Sequence, residues 1–553
     1  GMDDRGHYWW NYTRTTEIST DYMLNYNKTF GDWDVSATLG WVGHTTKGEG
    51  HSYDSGNATY YYANRQQLST LVNYFSTSAG GPGALSQSKS SDWNKGAVFT
   101  AQVGWKDKIY VDGSYREDWY RSFRQFKDRG TPEHYGYFGF GANAIVSSLV
   151  KLPEWFNYLK YRASYSEVGN SIPNQVYGSQ NINLETGAYT PSQWATFKNP
   201  RPEKTASFET GIESLFLNNR LSLDLTYYNA TMSNLYLVGT NASGKSIPMN
   251  SAKIRNQGIE ATVGYDFKFG QLRWKTSYNV SYNSNKILRT AYDEKTGKEN
   301  IIASYVGGVQ VLYKEGGKFG DMYVTDLKRY KATDAAVKNG TAKEGWYVLN
   351  SQGGVQMDSE NTYGKYVGNM NADWQMGWTN SFSYKDFTLS FLINGRIGGK
   401  VLSMTESFLD GYGLSQRSAD ARLNAEANKI YADAVYGENV LGVKLDDGSG
   451  RIVPVSAYYQ SVGGVAPQDI ERYLYSGTNF RLRELSLGYT FRDLFGANKN
   501  LSLSFIARNL FFLYKDAHDD PDVSLSTGTG LSAFEVFNMP SSRSFGFSLN
   551  VNF

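Results

Sequence analysis

Most of this chain is written in period two, and its connections alternate strictly between short and long. Ile18, Thr20, Tyr22, Leu24 and Tyr26 alternate with polar residues up to Phe30. Gly31-Asp32 then turns the chain, and Trp33, Val35, Ala37, Leu39 and Trp41 alternate again. A strand sends successive side chains to opposite faces, so such a hairpin has one apolar and one small polar face. Similar pairs turn at Lys106–Lys108, Leu152-Pro153, Asn218-Asn219, Gly270-Gln271 and Lys385-Asp386, and a short link follows Phe491. Long, polar intervals separate the pairs, among them 43–90, 169–204, 286–371, 402–478 and 516–539. The count is about 15 strands.

A soluble sandwich has no reason to place its long loops all at one end. An outer-membrane barrel does, with short periplasmic turns, long extracellular loops, an apolar face toward lipid and a polar face toward a watery lumen. The final stretch fits this pattern: Phe545, Phe547, Leu549, Val551 and Phe553 alternate with Gly546, Ser548, Asn550 and Asn552. These five apolar residues are the expected barrel-assembly signal. The fold expected is therefore all-β, a transmembrane antiparallel β-barrel.

Composition agrees. The chain has 553 residues, 15% aromatic, with 43 Tyr and 13 Trp, and Gly and Pro are spread rather than gathered into linkers. No run approaches the roughly 18 apolar residues of a membrane helix. Barrel strands hide their hydrophobicity in alternation, so a mean hydropathy of −0.50 is no obstacle. A net charge of +2 sets up no field for nucleic acid. The absence of cysteine removes disulfides, thiolate metal ligands and thiol catalysis.

The strand count carries an expectation of its own. Bacterial barrels have even strand numbers, and an open sheet would leave unpaired edges in lipid. The first strand follows no short turn and the opening residues carry no secretion signal. Residues 1–553 are thus expected to be the C-terminal part of a larger barrel, with the earlier strands elsewhere.

Several stretches resemble the C-terminal barrel of the SusC-type TonB-dependent outer-membrane transporters of the Bacteroidetes. Asn25–Gly31 resembles the family's early hairpin. Arg162–Asn170 is similar to a strand-end motif, with Ser166 where Gly is usual. Pro202–Thr205 with Phe208–Gly211, Ile254–Glu260, Phe480–Tyr489, and Ala507–Leu510 followed by Asp520–Ser524 resemble further family motifs in the right order. The resemblance implies a barrel of about 22 strands plugged by an N-terminal domain. It also implies energy-coupled import of oligosaccharides or peptides, with a SusD-type surface lipoprotein as lid. The plug-bearing segment or chain, and through it the TonB complex, would be further partners in the outer membrane of a Gram-negative cell.

The candidate chemistry is binding, with no cofactor. Asp516, Asp519, Asp520 and Asp522 cluster with His518, but lack the spacing of a calcium loop, and a solvated acidic loop is expected. His51, His134 and His518 lie in different segments without a nucleophile signature, so no enzyme is expected. The aromatics Tyr60, Tyr61, Tyr62, Trp194, Tyr458 and Tyr459 fall outside the alternating strands. Rings flanked by Asn and Asp suit sugars, which offer apolar C–H faces and polar rims. These six are the candidate ligand contacts; the alternative is that they stiffen the loops. Ser415–Val435 is the one helix-like pattern expected in a loop. Two rival functions remain at this stage: a structural or adhesive surface barrel, and a soluble array of glycan-binding sandwiches.

Overall fold

The computed structural model describes residues 9–54, 84–124, 126–127, 131–172, 181–182, 189–190, 200–240, 246–292, 299–300, 302–494, 496–497, 499–523 and 533–552. Among them a single 15-stranded sheet dominates, and its strands neighbour one another in chain order without crossovers. All are antiparallel, from Trp9–Phe30 and Trp33–Asp54 at one end to Asn500–Lys515 and Ser544–Asn552 at the other. No described helix is long and apolar enough to cross a membrane. The crossing elements are the strands.

The register aligns the apolar faces across the sheet. Leu24 pairs with Leu39, Leu39 with Phe99, Phe99 with Tyr115, and Tyr115 with Phe138. All five are exposed. The far end repeats the pattern through Leu487, Phe505 and Phe547. On the other face Asn25, Thr38, Thr100 and Ser114 form the matching polar row, and Thr38 donates to Asn25 at 2.8 Å. A one-residue slip would exchange the faces, so an apolar belt on one side fixes the register. Exposed aromatics in an unbroken belt are stable only against lipid.

The short turns gather aromatic rings. Phe267, Trp274 and Phe382, on three adjacent strands, stack with centroids 4.6 and 5.5 Å apart. Trp33 lies 6.5 Å from Trp105, and Lys106 reaches over the Trp105 ring. Rings with a nearby cation suit the boundary between hydrocarbon and headgroups. Gly31 and Gly270 open their tight hairpins at φ of 62° and 59°, a region glycine enters without penalty.

The strands run further than their alternation shows: the first two and Ala84–Trp105 each have 22 residues. One outer connection departs from the expected long form. Leu221–Thr240 and Ser246–Phe269 continue outward together, leaving 241–245 between them.

The described residues of the long intervals 290–371 and 399–478, with part of 516–543, form a folded cap. Lys400–Ser403 pairs with Leu474–Ser476 and, in parallel, with Phe534–Glu535 of the last interval. Three α-helices of eight or more residues belong to the described part of the cap: Met404–Gly411, Gln416–Ala427 and Val455–Val462. Ser415 caps the second by accepting from the Ser418 amide at 3.0 Å. That helix stops at Ala427 rather than continuing to Val435, because Lys429 takes φ of 51°. Gly411 lies against the backbone of Gly463 and Gly464, where a Cβ would collide. This closeness lets the first and third helices pack. One apolar cluster of the cap holds Val309, Met322, Leu402, Tyr473 and Phe534; another holds Tyr347, Val453, Val455 and Val462.

Candidate functional site

The polar face carries the chemistry. Strand Leu272–Arg289 alternates Tyr278, Val280 and Tyr282 on the apolar side with Asn279, Asn283 and Asn285 on the other. Asn285 donates to Asn256 at 2.7 Å and accepts from the Phe319 amide at 2.8 Å, joining the wall to the first cap interval. Arg162 pairs with Asp224 across the intervening strand at 2.7 Å. Such a wall offers hydrogen-bond donors and acceptors.

Two clefts open beneath the cap and share Asn283, Asn371 and Ala372. One, of about 340 Å³, is bordered by Asn256, Lys318, Phe319 and Asp373. The other, of about 630 Å³, is bordered by Gln375, Asn394, Arg396, Arg483 and Asp522. Both volumes are in the range of small-molecule sites. A third cleft of about 490 Å³ lies between Tyr135, Tyr137, Pro200, Arg201 and Pro202.

The acidic loop is exposed at Asp516, His518, Asp519 and Asp522, as expected of a solvated loop, but it is also tied to the cap and the wall. Asp520 pairs with Arg481, and both side chains are almost fully buried. Asp522 accepts from Arg396 and Asn479, each at 3.2 Å. Asp519 accepts from Ser403 at 3.1 Å, and Asp516 from the Ser476 amide at 2.8 Å. Arg481 also lies 4.0 Å from the Phe512 ring centroid. Burial alone pushes the Asp520 carboxyl up. Hydrogen bonds from Arg481, Ser541 and the Asp522 amide outweigh it and hold that carboxyl below its ordinary range. No group of three or more metal-ligating side chains is poised for an ion among the described residues.

The aromatic candidates divide. Tyr60, Tyr61, Tyr62 and Trp194 lie outside the described residues. Tyr458 and Tyr459 sit on helix Val455–Val462, each 7% exposed, with rings in T-shaped contact at 5.4 Å. Tyr458 accepts from Arg472 at 2.7 Å, and Tyr459 donates to the Arg417 carbonyl at 3.2 Å. Burial pushes the Tyr458 hydroxyl well above its ordinary value. Their faces are used inside the cap. In the closing strand Phe545, Phe547 and Leu549 are exposed on the apolar face, Val551 pairs with Leu501, and Phe553 lies outside the described residues.

Sequence reasoning overlooked the asparagine wall and Arg396. The signal for the wall was present in the odd-numbered asparagines of 279–285. Arg396 gave none, since its partner Asp522 is 126 residues away.

A family model described as TonB dependent receptor-like, beta-barrel matches residues 2–395. The chain belongs to that family. TonB-dependent receptor P3 of Formosa agariphila is 21% identical over 98% of this chain and 53% of its own length. TonB-dependent receptor P39 of the same organism is 22% identical over 97% of this chain and 53% of its length. The chain therefore spans about half the length of these TonB-dependent receptors. Among solved structures, the RagAB peptide transporter superposes with a TM-score of 0.68 at 16% identity, covering 98% of this chain and 56% of that one. The RagAB peptide importer in its 'open-open' state gives 0.67 over 99% and 55%. The barrel expected from alternation is thus the fold observed, and the TonB-dependent receptor family is one of the outer membrane and of receptors rather than enzymes.

Proposed function

We propose that this barrel segment is the C-terminal membrane portion of a SusC-type importer. In this reading the remaining strands and a plug come from sequence outside these residues, and TonB supplies the energy through that plug. A SusD-type lipoprotein closes the outer face, and the cargo is an oligosaccharide or a peptide. The observation that carries the reading is the pair of amide-lined clefts on the polar wall directly beneath the cap. An adhesive or structural barrel has no use for hydrogen-bonding clefts facing its own lumen. Tyr60, Tyr61, Tyr62 and Trp194 serve as cargo contacts from the outer loops. Tyr458 and Tyr459 act indirectly, by holding the cap together. Phe545, Phe547, Leu549, Val551 and Phe553 form the assembly signal.

The test is to purify the particle from outer membranes in mild detergent and sequence every polypeptide in it. A plug-bearing segment, in the same chain or a second one, together with a lipoprotein is the expected result. A folded barrel lacking both would support the structural or adhesive alternative.

A further inference from the structure

The strand Asn479–Phe491 breaks its alternation at one place. Tyr489, Leu487 and Leu485 lie on the apolar face, and a regular strand would send Arg483 there as well. The register shifts instead on both sides. Glu484 pairs with Leu392 and Leu482 with Ile393 on one ladder, while Glu484 pairs with Arg508 and Leu482 with Phe511 on the other. Arg483 is skipped by both neighbours, and Leu482 takes the place opposite Ile393. A bulge of this kind re-aims a side chain at the cost of local pairing. On the adjacent strand Asn509 adopts φ of 55°, a conformation that residues other than glycine seldom take. Two neighbouring strands therefore depart from regular geometry at one level.

The re-aimed side chain borders the 630 Å³ cleft beside Gln375, Asn394 and Arg396. Arg483 is exposed there and has no hydrogen bond or ion pair among the described residues. Within the same cleft, Nε of Arg396 and Oδ1 of Asn394 are buried without a hydrogen-bond partner. Asp520 and Asp522 already face Arg481 and Arg396. The guanidinium of Arg483 is thus the uncompensated charge of the cleft. What the cleft lacks is an anion with a neighbouring donor.

We propose that this cleft is a carboxylate subsite and that the cargo is an acidic oligomer. Arg483 takes the carboxylate through its planar fork of N–H donors. Arg396 adds its free Nε–H, and Asn394 Oδ1 accepts from a hydroxyl or amide N–H beside the carboxylate. This rests on the import reading above and adds the chemical class of what is imported. A sugar acid and an acidic peptide share the required chemistry, and the test separates them.

The full-length protein in detergent is titrated calorimetrically with an oligogalacturonate, a neutral oligoglucose of equal length and an oligoglutamate. At least one acidic oligomer binds about tenfold or more tighter than the neutral one, and the preference shrinks as salt is raised. The acidic oligomer that binds identifies the source of the carboxylate. Arg483→Gln removes the preference, while Arg483→Lys retains part of it. Equal binding of all three probes by the unaltered protein overturns the proposal, as does a preference that survives in Arg483→Gln. The comparison made on the unaltered protein stands even if a variant fails to fold. TonB-dependent uptake of a neutral cargo would leave the import reading intact while removing this one.

Discussion

The guanidinium of Arg481 and the carboxylate of Asp520 meet in an ion pair whose side chains are 3% and 7% exposed. Arg481 belongs to the barrel wall and Asp520 to the last long interval, 39 residues further on. The pair is a rivet between cap and wall. Removing one partner strands a buried charge, which costs about 3 to 5 kcal/mol. Asp520→Ala should therefore loosen residues 516–523 and lower the unfolding midpoint. The double variant Arg481→Met with Asp520→Leu should recover much of the loss. Denaturant titrations of the two variants in detergent provide the comparison.

The cap should be acid-labile. Asp447 is buried, which alone would raise its carboxyl; bonds from Ser449, the Tyr347 amide and Arg451 more than offset this and leave it lowered. Asp520 is lowered for the same kind of reason. A carboxyl that is more acidic folded than unfolded stabilises fully above the unfolded value of about 3.9, and the contribution drains away as pH falls through the lower folded value. Pepsin should nick 399–478 at about pH 2.5 and spare it at about pH 5, while the strands resist at both.

Lipid-facing positions should reject charge. Leu487 and Phe547 lie on the apolar belt and both are exposed. Arginine at a mid-membrane position of a barrel costs about 2 to 4 kcal/mol. Leu487→Arg should lower the unfolding free energy from denaturant titration by that much, whereas Arg162→Gln on the polar face, which removes a half-exposed pair, should cost less than about 1 kcal/mol.

Tyr458 discriminates between support and ligand contact. Its ring is buried in the cap and its hydroxyl meets Arg472. Truncating a buried aromatic residue costs about 3 to 5 kcal/mol. Tyr458→Ala should destabilise the cap, and Tyr458→Phe should restore most of the stability while changing cargo affinity little. A Phe variant that folds normally yet loses cargo would show a direct contact instead.

The barrel was legible because lipid enforces alternation wherever a strand crosses it. Ile18–Phe30 and Trp33–Trp41 could be read directly. Beyond the membrane the same strands continue as 42–54, rich in Gly, Thr and His, where both faces are wet and no period is required. The cap was less legible. Helix Met404–Gly411 is eight residues long, and its packing depends on Gly463 and Gly464, about 50 residues away. The ties of the acidic loop were not legible because its partners, Arg396, Ser403, Ser476 and Arg481, come from other segments. Arg483 did leave a trace: Arg481, Arg483 and Leu485 cannot share one face of a lipid-exposed strand, so a bulge was implied between them.

The central claim is energy-coupled import through this barrel. It is tested most directly by uptake of radiolabelled oligomer into cells, comparing the unaltered strain with strains lacking this protein or lacking TonB. The account predicts that uptake is lost in both deletions, although cells lacking TonB still bind the oligomer at their surface. Uptake that depends on the barrel but persists without TonB would contradict it, as would surface binding with no uptake in any strain.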